Sequence, residues 1–350
     1  MLKKILLLVI IVLGAIIAYN HELIYYGYGQ AKGQYTVLFH AQPIARFLND
    51  KNYPDSLKSK IKLIQEIRKF AFDSLGIKYS PNYTTMYDQQ GKPILWMLTA
   101  CEPFELKAKE WHFPLLGTFS YKGYFDTTKA AEAVDALTKA HYDVDLGEVS
   151  GWSTLGWFQD PILSEMLYKK EGNLANLIIH ELTHGTLYVK NNVEYNENLA
   201  SFVGDQGALR FLKYKYGVNS TPYLDYVNFK IDYKKFVSVV LKASLKLDTI
   251  YKSFPAKMAK AQKQKIKLQF IADFKKSFDT IAFKKPHRFT KSMQEDELLN
   301  NNFFLHFVRY RVQQDTFEHE FETKFESNFK KYFNYLKQKY PQGLLFSNMF

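Results

Sequence analysis

The run that decides the fold of this chain spans residues 173–184 and ends in His180-Glu181-Leu182-Thr183-His184. From residue 174 onward, apolar residues surround the predicted helix on nearly every side, which is typical of a helix packed between other elements of a core. Asn173 is its predicted N-cap. Because positions i and i+4 share one face of a helix, His180 and His184 point the same way. Two buried imidazoles are costly unless a partner such as a metal ion satisfies them.

The spacing H-E-x-x-H is that of a zinc-binding helix. The two imidazoles ligate the metal, while Glu181 lies about 100° round the axis and can hold a metal-bound water. The competing interpretation is a buried helix that carries two histidines by chance. We favour the metal, so the sequence predicts one Zn²⁺ per chain, with His180 and His184 as ligands and Glu181 as the catalytic base.

The third ligand follows from the reach of the chain after the motif. Catalytic zinc usually has three protein ligands and one open position. A turn is predicted at Asn191-Asn192, after which the chain can return to the metal. With Asn196 as the predicted N-cap, Glu197 falls in the first turn of the next helix, where the helix dipole favours an ionised carboxylate. Glu194 is the competing ligand, but it would lie in the loop. We therefore predict Glu197.

Small residues follow Glu197 at three- and four-residue steps on the same helical face: Ala200, Ser201, Gly204, Gly207 and Ala208. Glycine within a helix costs about 1 kcal/mol relative to alanine. The stripe therefore predicts close packing against the histidine helix, although ordinary tight packing without a metal would explain the glycines equally well. Gly217 is predicted to end the helix.

These residues resemble a known family. H-E-x-x-H followed by a glutamate on the next helix is the arrangement of gluzincin metallopeptidases. More narrowly, the chain resembles the bacterial family of predicted aminopeptidases. The resemblance is carried by residues 173–184 and 195–203, the Gln-Ala-Lys-Gly-Gln run at 30–34, the segments 111–114 and 121–126, the Ser-Thr-Leu-Gly-Trp-Phe run at 153–158, and the segment 299–302 with Tyr310. It covers nearly the whole chain after the N-terminal segment.

The resemblance implies a zinc-dependent peptidase, an aminopeptidase by the family name, that acts on a peptide or protein substrate. It also implies that an edge strand at 151–156 lines the substrate and that His306 or Tyr310 donates to the oxyanion. An aminopeptidase needs carboxylates near the cleft for the free amine, and Glu148, Asp160 and Glu165 stay open as candidates. The alternative function is a membrane-tethered interaction protein with a structural zinc site and no hydrolysis.

The N-terminus predicts export. Lys3-Lys4 precede an apolar run over residues 5–19, as in a secretory signal. We predict a signal anchor or signal peptide over residues 1–24, with the anchor favoured because no good cleavage site is present. The positive residues would keep the N-terminus inside, so residues 25–350 would lie outside the cytoplasm, tethered to the membrane, or secreted if the signal is cleaved.

Composition adds further limits. The formal net charge is +12, and much of the lysine excess lies past residue 230, interleaved with aromatic residues at helical spacing. Amphipathic helices with solvated lysine faces explain this pattern best, and a patch for anionic lipid is the alternative. No nucleic-acid motif is present, so we predict no nucleic-acid partner. Cys101 is the single cysteine, which excludes an intrachain disulfide and is typical of a buried hydrophobe.

The predicted fold is α+β and mainly α. Helices are expected over 36–76, strands over 93–125, a helix over 128–140, a strand over 147–155, and helices past 220. A small β-sheet would thus precede the zinc helix, with a gluzincin-like core implied by the resemblance and a helical C-terminal lobe. We expect one metallopeptidase domain over 25–350, with two lobes that meet near residues 173–217.

Overall fold

The computed structural model describes residues 5–6, 19–113, 117–149, 151, 154, 158–286, 289 and 299–341. The part before the histidine helix mixes helices with short strands, in the order α1 (His21–His40), β1 (Gln42–Pro43), α2 (Ile44–Asn49), α3 (Asp55–Leu75), β2 (Thr85–Tyr87), β3 (Trp96–Cys101), β4 (Trp111–Phe113), β5 (Gly117–Phe119), β6 (Lys122–Tyr124), α4 (Thr127–Lys139), β7 (Asp143–Glu148) and β8 (Ile162–Leu163).

The described remainder is helical. A 3₁₀ helix (Ser164–Tyr168) leads into the following elements: α5 (Glu171–His184), α6 (Val193–Tyr216), α7 (Thr221–Lys252), α8 (Lys260–Ser277), a second 3₁₀ turn (Phe278–Thr280), α9 (Asn301–Arg311), α10 (Gln314–Phe325) and α11 (Phe329–Lys339). The predicted mainly helical α+β class and the helical C-terminal part are confirmed.

The described strands form three small sheets rather than the single predicted sheet. One has the order β1-β2-β8, in which β2 and β8 run parallel with Met86 opposite Ile162. The second is antiparallel, in the order β6-β3-β7, and the third is the hairpin β4-β5. The strand predicted over 147–155 begins earlier than expected: β7 starts at Asp143, pairs with the whole of β3 and ends at Glu148. Of the residues from 149 to 155, only 149, 151 and 154 are described, and none of these three is in a strand.

A large apolar cluster surrounds α5 and α6. It contains Ile64 of α3, Ile178 of α5 and Val203 of α6, and it is closed by Phe321 of α10 and Phe333 of α11. A second cluster, of aromatic and aliphatic side chains, joins α7, α8 and α9. Cys101 is buried as expected, in β3. No helix among the described residues is long and apolar enough to cross a membrane, and most of the apolar run 5–19 lies outside those residues.

The glycines of α6 bring it close to α5, as the small-residue stripe predicted. A Cβ on Gly204 would lie 2.9 Å from the backbone oxygen of Asn176 and 3.3 Å from Cβ of His180. A Cβ on Gly207 would lie 3.0 Å from Ile179. A larger side chain at either position would therefore push the two helices apart. α6 ends at Gly217, also as predicted, with φ +83.

Both predicted N-caps are wrong. α5 begins two residues before Asn173, at Glu171, whose carboxylate pairs with Lys60 at 2.7 Å, and Gly172 packs directly against the Tyr226 ring. Long-range contacts therefore set where this helix starts. α6 is capped by Asn192, whose side chain accepts a hydrogen bond from the backbone N–H of Tyr195.

Candidate metal centre

Three possible ligand atoms meet where α5 ends and α6 begins. Nε2 of His180 lies 3.2 Å from Nε2 of His184. Oε2 of Glu197 lies 3.3 Å from the first nitrogen and 3.6 Å from the second. Ligand atoms about 2.1 Å from a tetrahedral ion are about 3.4 Å apart. The triangle therefore has the size of one face of a zinc tetrahedron, and the fourth corner points away from all three ligands.

The electrostatics of this triangle favour a cation. Burial alone would raise the pKa of Glu197, but His184 and His180 hold that pKa far below its usual range. Burial alone would lower the pKa of His184, but the charge of Glu197 raises it above its usual value. The carboxylate is therefore ionised and draws positive charge to the imidazoles. The donor set of two nitrogens and one carboxylate oxygen fits a divalent metal such as zinc.

Two asparagines fix Glu197 in place. Asn196, which is 1 % exposed, closes the loop after α5: its Oδ1 accepts from the backbone N–H of Val189 and its Nδ2 donates to the backbone oxygen of Val189, both at 2.8 Å. Asn198, which is fully buried, donates to the backbone oxygen of Arg309 on α9. The residue before Glu197 is thus bound to the loop after α5, and the residue after it is bound to α9, so the backbone of Glu197 is held on both sides.

The competing residue Glu194 lies away from the histidines. It is exposed in the first turn of α6, and its Oε1 accepts a hydrogen bond of 3.1 Å from Nε2 of Gln313. Glu197 lies in the second turn, where the dipole of the helix terminus is weaker. Glu197 therefore lies beside His180 and His184, but it does not occupy the first turn of the helix, where it was expected.

Glu181 lies beside the ligand triangle, next to Gly151. A Cβ added to Gly151 would come within 2.6 Å of Oε1 of Glu181 and 2.9 Å of Cδ1 of Leu177. The absence of a side chain at position 151 therefore leaves room for the carboxylate. Of the predicted substrate-lining segment 151–156, only Gly151 and Thr154 are among the described residues. The others fall outside them, so the prediction of an edge strand stays a prediction.

Phenol and imidazole side chains surround the ligands. His306 and Tyr310, both proposed from the sequence, stack on each other on α9 with ring centroids 4.7 Å apart. Two further residues were missed: Tyr188, whose ring lies 6.2 Å from that of His184, and Tyr121 after β5. Tyr188 lies four residues after His184, in the loop that follows α5, and its closeness to the motif in sequence could have indicated it. Tyr121 is distant in sequence, so only its place in the quoted segment 121–126 could have done so.

The pKa values of these groups make them hydrogen-bond donors. Burial and then the charge of Glu197 raise the pKa of Tyr121 and Tyr310 well above the usual range, and that of Tyr188 to about 12. The Glu181 charge also acts on Tyr310, which places this phenol near both carboxylates. His306 is exposed to solvent on one side, yet desolvation, followed by the charge of Arg309, lowers its pKa to about 4.

A second ionic cluster lies on α6 beyond the metal ligands. The buried carboxylate of Asp205 accepts from Nδ2 of Asn176 at 2.8 Å, from the hydroxyl of Tyr226 at 3.1 Å and from Nη1 of Arg311 at 2.7 Å, and it also pairs with Lys230. Asn176 precedes His180 by one helical turn. The Asp205 cluster therefore ties together α5, α6, α7 and α9, the helices that carry or surround the site.

The three carboxylates considered for the substrate amine differ in accessibility. Asp160 is fully buried and accepts from Oγ1 of Thr154 at 2.6 Å and from Nδ2 of Asn82 at 2.9 Å, so its role is structural. Glu148 and Glu165 are exposed. Glu148 ends β7, three residues before Gly151, which makes it the better placed of the two.

A wide groove lies away from the candidate metal ligands. Its volume is about 1300 Å³, and it runs between α1, β2, β6 and α4, with residues such as Tyr25, Lys32, Gln89 and Phe125 in its walls. None of the three metal-ligand candidates lines it. The chemistry of the ligand triangle, rather than cavity size, therefore identifies the candidate site.

The fold and the cluster define a mainly helical α+β protein with a candidate metal centre of two histidines and one glutamate. The chain belongs to the family described as "Putative aminopeptidase", which matches residues 25–340. The family resemblance noted from the sequence is confirmed at this level, and the family name indicates a peptidase. No curated protein and no solved structure matched the chain.

Proposed function

We propose that the chain is a zinc-dependent peptidase that hydrolyses peptide bonds with a metal-activated water, most simply as an aminopeptidase. The observation that carries this proposal is the triangle of His180, His184 and Glu197 with Glu181 at its side. Family membership over residues 25–340 supports the reaction class. The arrangement of ligands and base is that of gluzincin peptidases, which is the finer class proposed here.

His180, His184 and Glu197 would hold the metal. A bound Zn²⁺ would polarise the scissile carbonyl and lower the pKa of a coordinated water towards about 7. Glu181 then accepts a proton from the attacking water and returns it to the nitrogen of the leaving amine. The phenol of Tyr310, kept protonated by burial and nearby carboxylates, donates a hydrogen bond to the oxygen on which negative charge develops.

The substitution Glu181→Gln tests the mechanism. It keeps the shape of the side chain and removes the base, so hydrolysis should fall by roughly 10²–10⁴ while metal content stays at one ion per chain. Elemental analysis and peptide digestion followed by mass spectrometry measure the two quantities. Full activity in Glu181→Gln would contradict the role of Glu181. If the wild type cleaves no peptide, the membrane-tethered interaction protein with a structural zinc becomes the better hypothesis.

The aminopeptidase assignment needs its own test, because the ligand triangle serves exo- and endopeptidases alike. Peptides with a free N-terminus and their N-acetylated forms should be digested side by side. We expect cleavage of the free form only. Glu148→Gln should raise the KM for the free peptide if Glu148 binds the amine, and the equally exposed Glu165→Gln serves as the matched control. Equal cleavage of both peptide forms would indicate an endopeptidase.

We further propose that the peptidase part works outside the cytoplasm, held by the N-terminal segment 1–24. Lys3-Lys4 and the apolar run 5–19 support this orientation. A reporter fused after Phe350 should be active only outside the cytoplasm. N-terminal sequencing of the mature chain distinguishes the alternatives, since a start near Tyr19 would indicate a cleaved signal and a secreted protein.

A further inference from the structure

Helix α1 packs on the rest of the protein mainly through one face. The hydroxyl of Tyr26 donates to the backbone oxygen of Gly123 at 2.9 Å, and Nε2 of Gln30 donates to the same oxygen at 2.8 Å. Gly33 lies against the ring of Phe125, and Val37 is 2 % exposed. These contacts hold α1 along β6 and define its inner face.

The opposite face carries a stripe of large apolar side chains in solvent. Ile24, Tyr28, Tyr35 and Phe39 follow one another at steps of four, seven and four residues, which places them within about 60° round the helix axis. Their exposed fractions are 48 %, 66 %, 56 % and 68 %. We call these four residues the outer stripe of α1. A contiguous exposed apolar patch of this kind marks an interaction surface.

The position of α1 in the chain indicates what covers the outer stripe. The apolar run 5–19 ends two residues before α1 begins, and Lys3-Lys4 precede that run. Asn20, with φ −103 and ψ 19, lies between Tyr19 and the first residue of α1 as its N-cap. Helix α1 therefore begins directly behind the apolar run, after a residue with non-helical backbone angles.

The residue types of the stripe match one environment. Tyrosine and phenylalanine are favoured at the boundary between lipid headgroups and acyl chains. Lys32 lies exposed at the edge of the stripe, where it can reach lipid phosphates, and the chain carries a formal net charge of +12. We propose that the outer stripe of α1 lies in the headgroup region of a lipid bilayer, as a second membrane contact beside the N-terminal segment. This inference rests on the proposed N-terminal tether and not on hydrolysis.

Labelling of single cysteines in the full chain tests the proposal. The native thiol needs no removal, because Cys101 is buried and burial raises its pKa to about 12. Tyr28→Cys and Tyr35→Cys place an environment-sensitive fluorophore on the outer stripe. The labelled chains are reconstituted in vesicles of phosphatidylcholine and phosphatidylglycerol, with or without lipids that carry a quencher in the headgroup region. We expect a blue-shifted emission and strong quenching at both positions.

Matched controls come from exposed positions off the stripe. Gly27→Cys lies on the same helix, one residue before Tyr28, but points to another side, into open space and away from the groove, and Tyr214→Cys replaces a 76 % exposed residue of α6. Both labels should stay in water and escape the quencher lipids. Phe39→Cys gives a further stripe position if one variant does not fold.

Two results would overturn the proposal. Equal, water-like emission at all positions would show that the stripe does not touch lipid. Protection of Tyr28→Cys and Tyr35→Cys that disappears at a low ratio of protein to lipid, with no effect of quencher lipids, would show that a second copy of the chain covers the stripe instead.

Discussion

Helix α6 carries two buried ionic clusters that differ in one respect. Around Asp205 the chain itself supplies the cations, Lys230 and Arg311, and every bond to the carboxylate joins two parts of the fold. Around Glu197 the partners are two imidazoles, and the three ligand atoms face one another across 3.2–3.6 Å. The first cluster is complete without a ligand, whereas the second has the charge and the geometry to accept one. Burial and ion pairing alone therefore do not mark a functional site.

The largest expected effect concerns Glu197, the third candidate metal ligand. Glu197→Ala should lower metal affinity by more than the 10- to 100-fold loss that is usual for residues that only support ligands. Hydrolysis should disappear with the metal. Glu194→Ala is the matched control, because this glutamate lies on the same helix and faces Gln313 instead. Competition with a chelator measures both affinities. If Glu194→Ala lowered metal affinity more than Glu197→Ala, the third ligand would be Glu194, at the start of α6.

The next effect concerns the stability of the fold. Asp205→Asn leaves Lys230 and Arg311 without their carboxylate in a buried position, which should cost about 3–5 kcal/mol in the free energy of unfolding. Asp248→Asn breaks the exposed pair with Lys252 on α7 and should cost under about 1 kcal/mol. Denaturant unfolding of both variants gives the comparison. Similar small losses in both would show that the Asp205 cluster contributes little to stability.

A third effect tests the space beside the candidate base. Gly151→Ala puts a methyl group 2.6 Å from Oε1 of Glu181 and 2.9 Å from Cδ1 of Leu177, and both of these atoms are the flexible ends of side chains. The fold should therefore tolerate the change, while a displaced carboxylate could cost up to about 100-fold in rate. Metal content should stay unchanged. Gly147→Ala, at a glycine with nothing within 4 Å, is the control. Equal rates in both variants would show that Glu181 does not need its present position.

The sequence predicted the site where the signal is local. The spacing of His180 and His184 is set by one turn of one helix, so no tertiary information was needed. The structure does bring Glu197 to the two histidines, but the argument from the helix start was wrong: Asn196 does not cap α6, and Glu197 lies in the second turn. Its position depends on the bonds of Asn196 to the loop and of Asn198 to α9. Asn196, a residue type that is favoured at N-caps, instead closes the loop after α5.

Apart from Tyr188, the missed features depend on contacts between distant parts of the chain. Tyr121 reaches the ligands from the β5–β6 connection, and Arg311 reaches Asp205 from α9. The Asn300-Asn301-Asn302 run, noted only as part of the resemblance, anchors α9 by hydrogen bonds to β7, among them Asn302 Nδ2 to the backbone oxygen of Asp143 at 2.8 Å. No periodicity in a single segment could have predicted these pairings. The overall class was predictable because long amphipathic helices are the strongest sequence signal.

The smallest expected effect is a pH dependence that separates the two clusters. Burial alone would raise the pKa of Asp205, but Lys230 and Arg311 lower it to about 2, against about 3.9 in the unfolded chain. A carboxyl with a lowered folded-state pKa stabilises the fold above its unfolded-state pKa and loses that contribution as the pH falls towards 2. The difference in unfolding free energy between wild type and Asp205→Asn should therefore be constant above about pH 5 and shrink below about pH 4, as Asp205 becomes protonated. Asp248→Asn should show little of this change. Chemical unfolding at a series of pH values measures it in metal-free protein, so that loss of zinc does not contribute. A difference that stays constant down to pH 2 would mean that the two buried cations do not depend on the Asp205 charge, and the contrast between a complete and an open ionic cluster on α6 would fail.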